Sequence, residues 1–289
     1  MSFIDFARTH GVEIESGSFY ESEKIHRCGT VDKPKSKNGA WFFDGGRGWV
    51  QNWADGDGEV NWFDNPDKKP WTEEERNAWR MRKDGQRANQ ESDYKKAAVK
   101  ANTMLEAAQP ELHNYLHLKG FPEMTGLVLE DHLLIPMRNA LTGELQGLQH
   151  IVWNSPERKY DKKMLSGMRA SMGIYRMGSR EATETILVEG YATGLSVAAA
   201  LRSVGLNAAV VVCFSAHNLT RVAMVLKGKI MAYADNDVSQ VGEKAALDAF
   251  IPYVMSDTIG NDANDDHKKS GLFWVVRKIM DLRRLKVES

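Results

Sequence analysis

The stretch KIMAYADNDVSQVGEKAA, Lys229 to Ala246, predicts a buried strand that ends on two carboxylates and leads into a helix. The six residues before Asp235 are largely apolar, and VGEKAA after Asp237 favours a helix. One carboxylate at the end of a strand is explained as the cap of the next helix. Two carboxylates there, with more acids at other strand ends, indicate a site for a metal ion.

Residues 184–288 around this stretch alternate between strand and helix patterns. The segments TILVEG, AAVVVCF and KIMAYADND are strand-like, and helical patterns separate them. We expect Asn218 to cap the helix after the second strand. Near-continuous apolar strands predict an α/β fold, with a mainly parallel sheet and helices on both faces. Right-handed crossovers then place the carboxyl ends of all the strands at one edge, where ligands bind.

Carboxylates gather at that edge. Glu189 follows the first strand, Asp235 and Asp237 follow the third, and Asp262 and Asp265 lie in GNDANDDH after the fourth. Clustered carboxylates repel one another, and a divalent cation removes the conflict. Oxygen ligands favour Mg²⁺ or Mn²⁺, which implies phosphoryl-transfer chemistry. Helix caps and a plain strand-to-helix turn are the alternative explanation.

The composition divides the chain into four predicted regions. Residues 1–75, rich in Gly, Asp and Trp, predict a small antiparallel sheet. Residues 76–120 predict a basic helical linker, which is either a solvated helix face or an arm along a phosphate backbone. Residues 121–180 predict a β-rich basic subdomain, and 181–289 the α/β domain.

The whole-chain composition is that of an ordinary soluble protein. Its net charge is −1, with 42% hydrophobic and 27% charged residues. No segment predicts a signal peptide or a membrane span, and two cysteines suit a reducing cytoplasm. We therefore expect a cytoplasmic protein with no membrane partner.

Three segments together resemble the Toprim domain, which bacterial-type primases, type IA and II topoisomerases and some nucleases share. They are ILVEGYATGLSVAAAL (186–201), AYADND (232–237) and GNDANDDH (260–267). The particular form is similar to the Toprim domains of plasmid and phage primases. The resemblance covers roughly residues 105–275 and includes the basic segment KKMLSGMRASMGIYRMG before the domain.

The resemblance implies a role for each acid. Glu189 matches a metal ligand or general acid/base, Asp235 and Asp237 match the aspartates that hold Mg²⁺, and Asp262 and Asp265 match the later acidic cluster. Basic side chains are expected to bind template and nucleotide phosphates, with a solvated surface as the alternative. They are Arg158, Lys159, Lys162, Lys163, Arg169 and Lys244.

The N-terminal region departs from that family. Such primases usually begin with a zinc module, but His26 and Cys28 have no second pair of ligands, so we expect a zinc-ribbon-like sheet without zinc. Its lysines (Lys33, Lys35 and Lys37) and exposed aromatic side chains could bind template by stacking. Core filling is the alternative role of its tryptophans, Trp41, Trp49, Trp53, Trp62 and Trp71.

The resemblance implies a DNA primase of a phage or mobile element. It would make short RNA primers on single-stranded DNA from nucleoside triphosphates. No phosphate-binding Gly-x-x-x-x-Gly-Lys-[Ser/Thr] loop is present, so a replicative helicase is expected as a separate chain. A Toprim nuclease and a non-catalytic nucleic-acid-binding replication module are the alternatives.

Overall fold

The computed structural model describes residues 1–53, 60–64, 72–179, 181–238 and 240–285. The chain forms two compact units, Met1–Met81 and Arg82–Ser289. The finer boundaries at residues 75, 120 and 180 stay predictions. Trp71 lies outside the described residues.

The N-terminal unit is one short helix on a five-stranded antiparallel sheet, in the order β1-β2-β3-β4-β5. The elements are α1 (Phe3–Thr9), β1 (Val12–Glu13), β2 (Ser22–Thr30), β3 (Gly39–Phe43), β4 (Arg47–Asn52) and β5 (Val60–Asp64). A capping box starts α1, in which the Asp5 amide donates to Ser2 Oγ and the Ser2 amide donates to the Asp5 carboxylate. Trp41 and Phe43, two residues apart on β3, both point into the core, as the side-chain period of a strand requires.

The long helix of the linker ends earlier than the sequence predicts. Helix α2 covers Glu73–Ala107, whereas helical structure was expected to continue to about Gly120. Instead, Gln109–Leu112 is strand β6 and Asn114–Leu118 is helix α3. Pro110 explains the break, because proline disfavours helical backbone at the residue before it and has no N–H to donate.

The second unit is built on a mixed ten-stranded sheet, with β10-β9-β8-β11-β13-β12-β14-β15 as its main path and β6 and β7 beside β8. The strands after β6 are β7 (Thr125–Leu129), β8 (His132–Asn139), β9 (Leu145–Asn154), β10 (Lys159–Met164), β11 (Gly173–Met177), β12 (Glu184–Val188), β13 (Ala208–Val212), β14 (Lys229–Ala234) and β15 (Tyr253–Met255). Strands β12 to β15 pair in parallel, and β11 pairs antiparallel with both β8 and β13. The predicted α/β class is confirmed, with a mixed sheet; the Toprim and zinc-ribbon-like assignments stay predictions.

Helices cover both faces of the parallel strands. They are α4 (Tyr191–Ser203), α5 (Ala216–Ala223), α6 (Val241–Asp248), α7 (Ala263–Ser270) and α8 (Leu272–Arg284). Alternate residues of β12 point to opposite sides: Ile186 packs in the core beneath α4 and α8, and Leu187 in the core beneath α5 and α6. Burial on both faces explains why these strands read as continuous apolar runs.

Candidate metal centre

Two strand ends bring carboxylates together at one edge of the parallel sheet. Strands β12 and β14 pair in parallel, with Leu187 opposite Ala232, so Glu189 and Asp235 follow neighbouring strands almost in register. Gly242, the second residue of α6, lies against both. A Cβ there would be 2.7 Å from Glu189 Oε1 and 3.0 Å from the Asp235 carbonyl oxygen. The absence of a side chain at Gly242 therefore lets the first turn of α6 approach both acids.

Glu189 is half-buried, and its carboxylate accepts a hydrogen bond from the backbone N–H of Ala216 at the start of α5. Burial raises the pKa of Glu189 to about 7, and the negative charge of Asp237 adds to the rise. The Ala216 hydrogen bond acts in the opposite direction and is too weak to cancel them. Glu189 is thus an oriented carboxylate whose charge the protein alone does not compensate.

Asp235 shows the same conflict more strongly. Burial, which is the largest cause, and the charges of Glu189 and Asp262 together raise its pKa to about 7. Its Oδ1 atom is buried and has no hydrogen-bond partner among the described residues. A buried carboxylate oxygen without a partner destabilises the folded chain unless a donor or a cation reaches it.

Asn236, between the two predicted ligands, fixes the end of β14. Its backbone N–H donates to the Asn261 carbonyl oxygen at 3.1 Å, and its side-chain Nδ2 donates to the Ser256 carbonyl oxygen at 2.9 Å. Asp237 is exposed, and its charge raises the pKa of Glu189 and of Asp235. The three acids at these two strand ends therefore share one electrostatic environment.

Asp262 and Asp265 have a structural role at the start of α7. The two side chains form a capping box: Asp262 Oδ1 accepts from the Asp265 amide at 3.0 Å, and Asp265 Oδ2 accepts from the Asp262 amide at 3.2 Å. Asp262 Oδ2 also accepts from Thr193 Oγ1 at 3.0 Å. The sequence did not predict α7, which begins within the acidic GNDANDDH segment. Asp262 still raises the pKa of Asp235, whereas metal binding by Asp262 or Asp265 stays a prediction.

The strand-end acids fit a hard divalent cation. Within the described ranges, no three His, Cys, Asp or Glu side chains are gathered as a ready metal site. Mg²⁺ does not require such a set, because it usually binds one or two carboxylates and keeps waters or substrate phosphates as its other ligands. Asp235, with its unpartnered Oδ1, and Glu189 satisfy that smaller requirement, and Asp237 is close enough to add charge.

One lysine, Lys162, faces these acids, and Lys119 lies close to it. Burial and the charge of Lys119 lower the pKa of Lys162, and the carboxylates of Asp262, Asp235 and Asp265 oppose that shift. Lys162 is exposed as a whole residue. The carboxylate charges that act on its ammonium group show that this end of the side chain faces the acids. Lys162 was predicted from the sequence, and its neighbour Lys119 was not.

Local contacts explain why Lys119 lies near Lys162. It is the C-cap of α3, and its carbonyl oxygen accepts from Asn264 Nδ2 of α7 at 2.8 Å. The Lys119 ammonium lies 6.0 Å from the centre of the Tyr115 ring. Tyr160, two residues before Lys162 on the same face of β10, packs edge-on against Tyr115 at 5.4 Å. No motif in the sequence marks this meeting of α3, α7 and β10.

The other predicted basic residues occupy different surroundings. Lys163, on the opposite face of β10 from Lys162, pairs with Asp161 at 3.0 Å. Arg169 pairs with Glu91 and lies over the Tyr94 ring of α2 at 4.7 Å. The remaining three predicted residues are exposed. They are Lys159, which pairs with Glu157, Arg158 in the β9–β10 turn, and Lys244 on α6. Their role in nucleic-acid binding stays a prediction.

The tryptophans of the N-terminal unit divide between its core and its surface. Trp41 is 2% exposed and stacks on His26 at 4.3 Å. On the opposite face of the sheet, Phe42, Trp49 and Trp62 are direct cross-strand neighbours on β3, β4 and β5. Trp62 is 67% exposed. Core filling thus explains Trp41, and template binding by the exposed tryptophans stays a prediction.

Comparison with known proteins gives a distant structural likeness. No protein-family model matches the chain, and no curated protein matches it. Among solved structures, it is similar to the DnaG catalytic core. The two chains are 16% identical, the match covers 68% of this chain and 71% of that one, and the TM-score is 0.35. Because a TM-score this low does not establish a common fold, the roles proposed below rest on this chain's own residues.

The helices were also compared with the requirements of a bilayer. Across the described ranges, no helix combines the length and the apolar character needed to cross one. The largest helix, α2, instead has exposed polar residues along most of its length.

Proposed function

We propose that this chain is a primase, a nucleotidyltransferase that makes short RNA primers on single-stranded DNA for a phage or mobile element. One observation carries the proposal: Glu189, Asp235 and Asp237 share the carboxyl edge of the parallel sheet, and their charges conflict. Such a site suits a divalent cation that also binds the phosphates of a substrate.

The acids would hold Mg²⁺ or Mn²⁺ through Asp235 and Glu189, with Asp237 beside them. When bound, the cation would supply positive charge that activates the primer 3′-oxygen and neutralises the triphosphate. The Ala216 amide keeps the Glu189 carboxylate oriented for this task. The bridge at Asn236 keeps Asp235 and Asp237 in place at the end of β14.

The cationic side of the site favours nucleotidyl transfer. Lys162 presents its ammonium group toward the same acids, and the charge of Lys119 lies beside it. A bound phosphate chain would lie between the lysines and the carboxylates. The lysines would balance its negative charge directly, and the carboxylates would do so through the cation that they hold. Template DNA, nucleoside triphosphates and a separate helicase are the partners that this function requires.

Primer synthesis on single-stranded DNA of mixed sequence tests the proposal. Labelled ribonucleotides and Mg²⁺ or Mn²⁺ are supplied to the wild type and to Asp235→Asn, which keeps the shape and removes the charge. Asp281→Asn is the matched control, because Asp281 is exposed on α8 and pairs with Arg284. We expect short products from the wild type and Asp281→Asn, and at least a hundredfold less from Asp235→Asn, since a preorganised electrostatic group contributes on the order of 10²–10³ in rate.

Two results would replace the proposal. Metal-dependent loss of the template, abolished in Asp235→Asn, would identify a nuclease using the same acids. An intact template, no product from either protein and unchanged binding of single-stranded DNA would identify a non-catalytic binding module. Products of equal yield from the wild type and Asp235→Asn would remove Asp235 from the reaction.

A further inference from the structure

A cavity of about 440 Å³ lies at the opposite edge of the parallel sheet from the acids. Its lining includes Gly178 after β11, Thr185 near the start of β12, and Lys227 just before β14. Thr185 is four residues before Glu189, so at about 3.3 Å per residue the two lie roughly 13 Å apart along the strand. The cavity is thus distinct from the candidate metal centre.

The cavity exists because the sheet opens between β8 and β11. These strands pair only at Gly173–Asn139 and Ile174–Arg138, after which β11 pairs with β13 through Tyr175–Met177. Pro136 of β8 lines the opening and has no N–H with which to extend the pairing. Two strands that separate within one layer leave a cleft between them.

The lining of this cavity carries positive charge. Arg138, Arg176 and Lys227 are among its residues, and no Asp or Glu is among those that the structure describes there. Hydrogen bonds to backbone carbonyls position both arginines. Arg138 Nη1 donates to Gly143 at 3.3 Å, and Arg176 Nη2 donates to Ser179 at 2.9 Å. Guanidinium groups held in this way form a defined surface for an anion.

The rest of the lining is apolar and preformed. Pro136, Leu141, Ile174 and Leu226 contribute hydrocarbon surface. The β8–β9 turn that carries Leu141 is fixed from within. The Asn139 side-chain oxygen accepts from the Leu141 amide at 2.9 Å and from the Thr142 amide at 3.1 Å. Such an Asx arrangement holds the wall in shape before any ligand arrives.

We propose that this cavity binds a nucleotide, with its phosphates on Arg138, Arg176 and Lys227 and its base on the apolar wall. The volume lies within the roughly 300–1,000 Å³ typical of small-molecule sites. The cations of the lining select an anion, and its apolar side chains select a ligand with a poorly hydrated part. The site goes beyond the proposed primase function and does not depend on it.

Titration with a fluorescent ribose-labelled ATP, in EDTA, tests the proposal. EDTA removes divalent cations, so the acidic edge cannot bind phosphates through a metal. We expect saturable binding to the full chain that is weakened roughly tenfold or more in Arg138→Glu and in Lys227→Glu, since each reverses a charge at the phosphates. The matched control is Lys269→Glu, an exposed lysine on α7, which should bind as the wild type does.

Competition by unlabelled ligands tests separately whether the cavity binds the phosphates and whether it binds the base. Unlabelled ATP should displace the probe at concentrations at least tenfold lower than tripolyphosphate, because only ATP has a base for the apolar wall. Equal displacement by tripolyphosphate would overturn the nucleotide assignment in favour of a simple anion site. Probe binding that is lost in Lys162→Glu and kept in Arg138→Glu would also overturn the proposal, because it would locate the nucleotide at the acidic edge. A failure of primer synthesis leaves all these results unaffected.

Discussion

Asp235 is held in a position that the folded chain alone does not favour. Burial and neighbouring charges raise its pKa from 3.8 to about 7. Between those pH values the folded state keeps a proton that the unfolded state loses, so the free energy of unfolding falls as pH rises. Above about pH 7 the full destabilisation of the folded state by the charged Asp235 is present, and it is on the order of 1–4 kcal/mol if Asp235 acts alone. The residue most central to the proposed function is therefore a source of instability without metal.

We predict that Asp235→Asn is more stable than the wild type at pH 8 in EDTA, by a few degrees in Tm. The difference should shrink toward pH 5, where Asp235 is protonated in the folded state. Thermal unfolding at both pH values measures it, with Asp281→Asn as the control that should match the wild type. A lower Tm for Asp235→Asn at pH 8 would contradict the inferred electrostatic conflict.

Gly242 gives a residue-scale test that leaves every charge in place. In Gly242→Ala, the new Cβ would lie 2.7 Å from Glu189 Oε1, so the carboxylate or α6 must move by several tenths of an ångström. We predict at least a tenfold loss of primer synthesis, because small displacements of catalytic groups cost large factors in rate. The helical content by circular dichroism should be unchanged.

Gly85→Ala is the control for Gly242→Ala, because Gly85 lies in α2 and a Cβ there meets nothing within 4 Å. That variant should keep its activity and gain slightly in stability, since alanine favours a helix over glycine. Full activity in Gly242→Ala would show that the close approach of α6 to Glu189 is not needed.

Helix α7 separates a structural role of Asp262 from a chemical one. Asn caps a helix as well as Asp does, whereas Ala does not. We predict that Asp262→Ala lowers the free energy of unfolding by about 1 kcal/mol and that Asp262→Asn changes it little. Urea unfolding of both variants gives the comparison. If Asp262→Asn keeps its stability and loses primer synthesis, the charge of Asp262 serves the reaction as well as the helix. Equal destabilisation by both would exclude the capping role.

The outer face of the N-terminal sheet makes an element-scale prediction. Phe42, Trp49 and Trp62 form a row across three strands, and Arg27 lies over the Trp53 ring at 4.0 Å on an adjoining part of the sheet. Aromatic rows beside cations bind single-stranded nucleic acid by stacking, at about 1–3 kcal/mol per base. We predict that Trp62→Ala weakens binding of an oligothymidylate at least fivefold.

Fluorescence anisotropy of the labelled oligonucleotide measures the effect of Trp62→Ala. Phe273→Ala is the control, because Phe273 is an aromatic residue of α8 that is 79% exposed. Loss of affinity in both variants would point to a general effect, and no loss in either would leave the sheet without a role in binding DNA.

At the scale of the whole molecule, patterns local in sequence were predicted and meetings between distant segments were not. The parallel strands and the edge that carries Glu189 and Asp235 follow from apolar runs and the handedness of crossovers. Lys119 was missed because α3 reaches the acids through Asn264, 145 residues away in sequence. Such a contact has no local signature.

The structural roles of polar residues near strand ends were also predicted incorrectly from the sequence. Asn218 was expected to cap α5, but Ser215 does so, and Asn218 is instead buried and donates to the carbonyls of Gly173 and Cys213. Asp262 and Asp265 were predicted as acids that follow the fourth strand, and the helix that they start was not predicted. Asn, Asp and Ser compete for the same caps and turns, so sequence alone does not rank them.

The five residues of β11 have a consequence for how the second unit comes apart. Gly173 and Ile174 pair with the antiparallel strand β8, and the next three residues pair with β13 among the parallel strands. Detaching either half of the sheet removes partners from the same short strand, so the opening of one half lowers the cost of opening the other. Amide hydrogens of β8 and β13 should therefore exchange with solvent through one shared cooperative event. Strand β10, which carries Lys162, and the strand ends that carry Glu189 and Asp235 would then stay folded together or unfold together.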